Sequence, residues 1–414
     1  MPWPIISWPR KPKPNFMGRV VVTGIGVISA IGNNVEENHH SLRAGKTGIG
    51  KAQFLNSKYA ESLLFGEVKL SNDELKELIG LEASSYYNRT ELLALKAFIE
   101  AIESAGLTKK ELRSFETAFL SGTTVGGMVE MEAIHADANS NTEPSPFVNS
   151  YRSGAHTERL AEHFGLRGYT DTMNTACSSS ANSIMLGARL IKAGKAKRAI
   201  VGGVDSLAKY TVNGFNSLQI FSDEITRPFD ANRKGLNLGE GAAYLVLERE
   251  EDAVCRNIWG EVRGYGNSND AYHPSSMSPE AIGVRGAIIG ALGTAGLNPE
   301  DIQHVNAHGT GTENNDYTEV HGMQQVFGQI PPYVSTKSYT GHTLAAAGAI
   351  EAVYSMLSIV NQEIYPTLNW QTQMPEFNSK PQTEYLNSVE IKNVLSNSFG
   401  FGGNCSSLIL SKVE

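Results

Sequence analysis

The chain has 414 residues, 41 % of them apolar, with 41 glycines and a formal charge of −8. That length suits two to three domains or one large pseudo-symmetric body, the composition excludes a disordered chain, and the acidic balance argues against a general nucleic-acid binder. The three cysteines, Cys177, Cys255 and Cys405, are too few for a disulfide framework and lack metal-ligand spacing, which fits a reducing, cytoplasmic setting; no apolar run reaches the roughly 18 residues of a bilayer span.

Taken in order, residues 1–16 read as a Pro-rich N-terminal arm: Trp3 to Pro9 is apolar but broken by prolines and lacks a cleavage signature. The globular body opens at Met17. Val20 to Val27 reads as a buried strand entering a glycine turn. Its Gly24-x-Gly26 pair hints at a dinucleotide fold, but Ser29 stands where a third glycine is needed and no acidic ribose ligand is evident, so no nucleotide site is expected. Ser71 to Glu74 offers a helix start. Residues 90–105 read as an alanine-rich helix, and Thr117 to Thr124 as a strand running into a polar turn.

A short strand from Thr170 then leads to Cys177. Ala181 to Ala193 follows as a slim helix, with Lys192, Gly194 and Lys195 marking its end. Cys177 therefore sits on the turn entering a helix. Unpaired amide N–H groups and the positive end of the dipole favour a thiolate there, the nucleophile that acyl transfer needs. The bland alternative, a buried cysteine packed as a small hydrophobe, is the commoner fate of a lone Cys. Arg198 to Gly203 is a further buried strand. Alternation of this kind points to α/β layering, helices covering a largely buried sheet.

The second half repeats the first. Ala101 to Leu112 aligns with Ala291 to Ile302 at a constant offset, and each copy is followed by a strand ending in a threonine-rich turn, Ser121 to Thr124 in one and His308 to Thr312 in the other. The strand-turn-helix around Cys177 has its counterpart in Val334 to Lys337, Gly341-His342 and a helix from about Leu344 to Ile359. An internal duplication brings equivalent strand ends together near a pseudo-twofold axis. Cys177, His308 and His342 then meet although far apart in sequence.

Taken singly, each histidine is more often an ordinary hydrogen-bonded group than a catalyst. Glycine beside both of them lets a backbone or substrate approach the ring. Two neutral imidazoles presenting N–H donors suit a developing enolate oxygen. Lys337 sets the field around them, and Glu319 is expected to neutralise and position that lysine; a purely architectural ion pair is the equal alternative. Near the C-terminus, Asn397 to Asn404 alternates Phe and Gly. That is either a hairpin with two core aromatics or a gate whose backbone N–H donates to an oxyanion.

Together these segments resemble the β-ketoacyl-[acyl-carrier-protein] synthases, condensing enzymes of the thiolase-like superfamily, from about Gly18 to the C-terminus. The motifs are Thr175-Ala176-Cys177-Ser178-Ser179, Ala307-His308 to Thr312, Lys337-x4-His342 with Ala345 to Gly348, Asn397 to Gly403, and Arg227 to Asp230 with Gly239-Glu240-Gly241. The resemblance implies an α/β, thiolase-like fold: two pseudo-symmetric βαβ-type halves in a layered α-β-α-β-α arrangement. Residues 17–258 would carry the nucleophile, and 259–414 the His/His/Lys set and the gating loop.

The same resemblance implies that Cys177 accepts the acyl chain from a carrier-protein thioester. His308 and His342 would support decarboxylation of a malonyl thioester and hold the enolate, tuned by Lys337 and Glu319. The amides of Cys177 and Phe401 would form the oxyanion hole, Phe399, Phe401 and Gly402 a gating loop, and Thr310 and Thr312 the phosphopantetheine contacts. No cofactor or metal is implied, since the substrates ride on the phosphopantetheine of acyl carrier protein. Partners are that carrier and a second subunit, a homodimer with a heterodimer left open; no nucleic acid or membrane insertion is implied.

Two histidines rather than His and Asn favour an elongating enzyme. A polyketide or aryl-polyene-type ketosynthase is the alternative. A chain-length-factor partner is a lesser one, because the nucleophile is present. Cys405 stands where the family commonly has Asn, and is read as packing. Residues 71–90 lack the basic cluster that often greets the carrier. Docking is then expected at Lys192, Lys195, Lys197 and Arg198, or at Lys209 and Arg233, with solvated surface the equal alternative.

Overall fold

Ten strands form one mixed sheet among the residues that the computed structural model describes, 18–140 and 151–413. The N-terminal arm expected over 1–16 lies outside them, as does Met17. The strands are β1 (Val20–Ser29), β2 (Thr117–Gly122), β3 (Thr170–Met173), β4 (Arg198–Asp205), β5 (Gly241–Arg249), β6 (Gly260–Asn269), β7 (His304–Asn306), β8 (Tyr333–Val334), β9 (Asn393–Phe399) and β10 (Asn404–Ser411). Five helices matter here: α1 (Arg89–Ser104), α2 (Ser179–Lys192), α3 (Ile282–Ala295), α4 (Glu313–Phe327) and α5 (Ala347–Asn361).

The spatial order is β3-β2-β4-β5-β1-β6-β10-β9-β7-β8. Counted outward from the centre, each strand of one half meets the strand five later in the other. Directions match too: β2 runs parallel to β3 and β4 as β7 does to β8 and β9, while β5 and β10 are antiparallel to both of their neighbours. The duplication read from the sequence is thus the symmetry of the sheet. β1 and β6 join the halves through Val21 opposite Glu261 and Val22 opposite Gly260.

Strand residues alternate between two buried faces. Ile200 and Val246 turn outward onto Leu92, Leu95 and Phe98 of α1, whereas Val201 and Leu245 turn inward onto Ile184 and Ala188 of α2 and Ile350 and Val353 of α5. The inner core also takes Val394 and Leu408 from the other half, and Leu395 and Ile409 face α3 on the far side. The result is the α-β-α-β-α layering, with α2 and α5 as the shared middle layer.

Glycine spacing sets the outer layers. A Cβ on Gly24 would lie 2.3 Å from the Ala101 carbonyl oxygen, and one on Gly26 would lie 2.2 Å from that of Ala97. Gly264 and Gly266 approach Ala291 and Ala287 of α3 in the same way, at 2.4 and 2.0 Å. The Gly24-x-Gly26 pair is therefore a close helix-on-strand contact, made twice. Gly26→Ala is expected to lower the unfolding free energy by about 1–3 kcal/mol through overpacking. An unshifted urea midpoint would contradict this account.

Local signals operate as the sequence suggests. Ser71 and Glu74 form a reciprocal capping box, as do Asn88 and Glu91 at the start of α1. α2 begins two residues earlier than its apolar pattern, because the Ser179 N–H donates to the Ala176 carbonyl and the Ser179 hydroxyl accepts from the Thr175 N–H. Among the described residues, one helical stretch, Leu344–Asn361, is long and apolar enough to cross a bilayer, but 89 % of it is buried inside the protein. It is the core helix between the two halves of the sheet.

Candidate active site

Two equivalent turns lead into the middle helices. Ala176 and Leu344 both have φ of 53°, a left-handed conformation that costs a non-glycine residue about 1–2 kcal/mol. Each stands three residues ahead of its helix, α2 or α5. After Leu344, the Ala345 N–H donates to Asp205 Oδ2 at 2.9 Å. Asp205 is buried at the end of β4, and the Thr123 and Thr124 hydroxyls and the Thr124 and Val125 amides also donate to it.

After Ala176 comes Cys177, 5 % exposed. Its own N–H and that of Phe401 face the sulfur. Gly400 keeps the space clear: a Cβ there would lie 3.2 Å from the Cys177 nitrogen and 2.6 Å from the Thr175 carbonyl oxygen. The sequence led us to expect a thiolate. Burial instead pushes the Cys177 thiol up to about 12, outweighing the pull of Lys337 and of the two amides. The resting sulfur keeps its proton.

The two histidines converge on that sulfur. His342 Nε2 lies 2.9 Å from Cys177 Sγ. Its ring is held by the backbone, with His342 N–H donating to the Asn237 carbonyl at 2.7 Å and its carbonyl accepting from Gly239 N–H at 2.9 Å. The His308 and His342 ring centroids are 5.4 Å apart at 89°, and Phe399 packs 5.6 Å from His308. Lys337 Nζ lies 3.2 Å from His308 Nδ1 and donates to the His308 carbonyl at 2.5 Å. An ammonium can only donate, so Nδ1 accepts and the ring proton sits on Nε2. His342 Nδ1 is buried with no hydrogen-bond partner, so among the described residues the sulfur is the one polar contact of that ring.

Lys337 is 1 % exposed, and its carboxylate partner is Glu351 of α5, at 2.5 Å. The pairing with Glu319 expected from the sequence is not made. Glu319, on α4, instead accepts the backbone N–H groups of His308 and Gly309, both at 2.8 Å, and the Asn397 side-chain amide at 3.1 Å. It fixes the histidine loop and leaves the lysine to another helix. Burial pushes the Glu319 carboxyl up to about 7 against these donors.

Burial and the Lys337 charge hold both imidazoles well below their ordinary value, and His342 adds to the effect on His308. They are neutral donors. Imidazole ¹⁵N spectra should show the neutral Nε2–H form on both sides of about pH 6.5. Lys337→Met removes the repelling charge, so both rings then titrate at higher pH than in the parent protein. A parent ring that already titrates near its ordinary value would contradict the assignment.

A cavity of about 650 Å³ is lined by Cys177, His308, His342, Thr310, Thr312, Phe399 and Phe401, with Arg233 and Lys234 at the same surface. The Thr310 and Thr312 hydroxyls lie 2.9 Å apart. Phe401 is 36 % exposed and stacks on Phe215 at 5.7 Å. Gly402 lines no part of this cavity; its N–H donates to the Pro274 carbonyl at 2.7 Å, and with φ of 84° it only turns the loop. Cys405 is fully buried in the core beside α3, as packing.

Two cations of the first expected docking group are already paired. Arg198 is buried in ion pairs with Glu111 and Glu248, and Lys197 pairs with Glu116. Lys192 closes the far end of the 14-residue α2, about 21 Å from the end near Cys177. Of the second group, Arg233 reaches the cavity, but its guanidinium donates to the carbonyls of Asp230, Thr312 and Glu313. Among the described residues, no group of three or more His, Cys, Asp or Glu is placed to hold a metal ion.

The family model described as "Beta-ketoacyl synthase, N-terminal domain" matches residues 17–253, and "Beta-ketoacyl synthase, C-terminal domain" matches 259–371. A "3-oxoacyl-[acyl-carrier-protein] synthase 2" of Staphylococcus aureus (strain COL) is 33 % identical over 410 residues, covering 96 % of this chain and 99 % of its own. Its namesake from Synechocystis sp. is 34 % identical over 412 residues, covering 96 % and 98 %. Among solved structures, the ishigamide ketosynthase/chain length factor superposes with a TM-score of 0.89 at 31 % identity, over 96 % of this chain and 100 % of that one. A ketosynthase in complex with its chain length factor from Xenorhabdus doucetiae gives 0.84 at 30 %, over 97 % and 100 %.

Proposed function

Because the chain belongs to the β-ketoacyl synthase family, we propose that Cys177, His308 and His342 together carry out an elongating, decarboxylative condensation on acyl carrier protein. The protein is a 3-oxoacyl-[acyl-carrier-protein] synthase, an acyltransferase-class condensing enzyme whose substrates arrive on that carrier. The observation that carries the residue roles is the meeting of one sulfur with one imidazole nitrogen at 2.9 Å, beside a second imidazole whose proton is fixed outward.

In the first half-reaction the Cys177 sulfur attacks the acyl thioester carbonyl. The oxyanion forms against the N–H groups of Cys177 and Phe401, and the thiol proton leaves on the pantetheine sulfur. In the second, the malonyl thioester oxygen takes hydrogen bonds from Nε2–H of His308 and His342. Carbon dioxide departs, and the enolate carbon attacks the acyl-Cys177 carbonyl. Cys177 leaves as a thiolate and regains a proton from solvent. No redox cofactor or metal enters this balance. Thr310 and Thr312 hold the pantetheine arm along the cavity.

The carrier docks around the mouth beside the helix Lys209–Ser217, whose Phe215 lines the cavity. The second subunit is another copy of this chain. Support comes from β3, an edge strand whose Thr170 and Asp171 are exposed. Sedimentation of the pure protein at twice the chain mass is the expected result; a monomer would overturn it.

The test of the reaction is direct. Acyl carrier protein loaded with an acyl chain should transfer it to Cys177, seen as a mass increase on that peptide, and malonyl carrier should then give the 3-oxoacyl product. Acyl transfer without that product would instead favour a plain acyltransferase.

A further inference from the structure

The two oxyanion donors come from opposite halves of the chain, Cys177 ahead of α2 and Phe401 in the loop between β9 and β10. Their separation must be held while Phe401 sits on a half-exposed loop flanked by glycines. One side chain joins them. Asn404 opens β10, and its backbone carbonyl closes the loop by accepting the Gly400 N–H at 2.8 Å. Residues on β10 alternate in direction: Cys405 enters the core beside α3, and Asn404 faces α2.

Its Oδ1 is the focus of donors from three elements. Ser178 Oγ lies 2.8 Å away, the Asn182 and Asn267 side-chain amides both 3.0 Å, and Ser406 Oγ 3.3 Å. Ser178 directly follows Cys177. The Asn182 amide also donates to Thr175 Oγ1 at 2.8 Å, so the network grips the nucleophile turn on both sides of the sulfur. Nothing in the chemistry above uses this side chain, yet it sits between the two groups whose spacing decides acyl transfer.

We propose that Asn404 is a positioning residue for acyl transfer: its side-chain carbonyl pins the turn bearing Cys177 to the loop bearing the Phe401 amide. The claim rests on the condensing reading above, and its consequences differ between the two half-reactions. Acyl loading and condensation need both amides; malonyl decarboxylation needs only the imidazoles, which Asn404 does not touch.

The experiment uses the full-length protein. Asn404→Ala is compared with the parent for the single-turnover rate of Cys177 acylation at saturating acyl-carrier protein, for malonyl-carrier decarboxylation, and for melting temperature. A loss of about ten- to hundredfold in acylation rate is expected from misplaced donors, with decarboxylation within twofold, about the scatter expected of an untouched site. Asn404→Asp keeps an acceptor at the same place and should retain most of the acylation rate. Acylation at the parent rate in Asn404→Ala overturns the proposal. So does a parallel fall in acylation, decarboxylation and melting temperature, or an Asp variant as slow as the Ala variant. If the parent itself fails to acylate Cys177, the condensing reading fails instead.

Discussion

Cys177→Ala lowers condensation by about 10⁴-fold or more, while release of carbon dioxide from a malonyl thioester continues. The two outcomes separate because the groups that carry them are separate. Acyl transfer has no nucleophile without the sulfur, and no other free thiol lies in the cavity: Cys405 is buried in the core beside α3, and Cys255 is exposed elsewhere. His308, in contrast, keeps its Lys337 contact and its outward Nε2–H, and His342 keeps both backbone anchors. Carbon dioxide release and 3-oxoacyl product, measured on the same samples, give the comparison. Equal loss of both would mean that the sulfur supports the imidazoles rather than acting after them.

Glu351→Leu destabilises the fold by about 3–5 kcal/mol, because it strands a buried ammonium. Lys337 and Glu351 are both almost wholly buried, 2.5 Å apart, against the inner core. Lys337→Met is expected to cost less stability. The carboxyl left behind is already pushed up to about 7 by burial, with Lys337 opposing, so once the lysine is gone it takes a proton and becomes neutral. The double variant Lys337→Met/Glu351→Leu should recover most of the lost stability, since apolar replacement of a buried pair is often neutral or better.

Activity moves differently. Both variants lacking the ammonium free the His308 tautomer and lose about 10²–10³-fold in decarboxylation, the scale of one missing oxyanion donor. Urea unfolding and carbon dioxide release together separate the two effects. A Glu351→Leu protein as stable as its parent would show that the lysine is not charged where it sits.

Much of this site was legible in the chain because the chemistry falls at the ends of repeated elements. The match of Ala101–Leu112 with Ala291–Ile302 predicted which strand ends meet, and the strand order bears it out through Gly24/Gly26 and Gly264/Gly266. What local sequence could not supply was the partner of Lys337. Glu319 lay near the histidine motif and carried charge, yet its carboxylate is taken by two amides on its own side of the loop. Glu351 is fourteen residues beyond Lys337, on another helix, and its one signal was being the lone charged residue from Ala345 to Ile359. The thiol's protonation is hidden for a related reason: the helix terminus is visible in sequence, but the depth of burial that opposes it is a property of the assembled layers.

The second elbow, at Leu344, has a use of its own. There the Ala345 amide is already satisfied by a carboxylate oxygen of Asp205 at 2.9 Å, whereas the equivalent amide, that of Cys177, faces the cavity sulfur. The two elbows thus share a backbone conformation but commit the following amide differently, one to locking the middle layer and one beside the thiol.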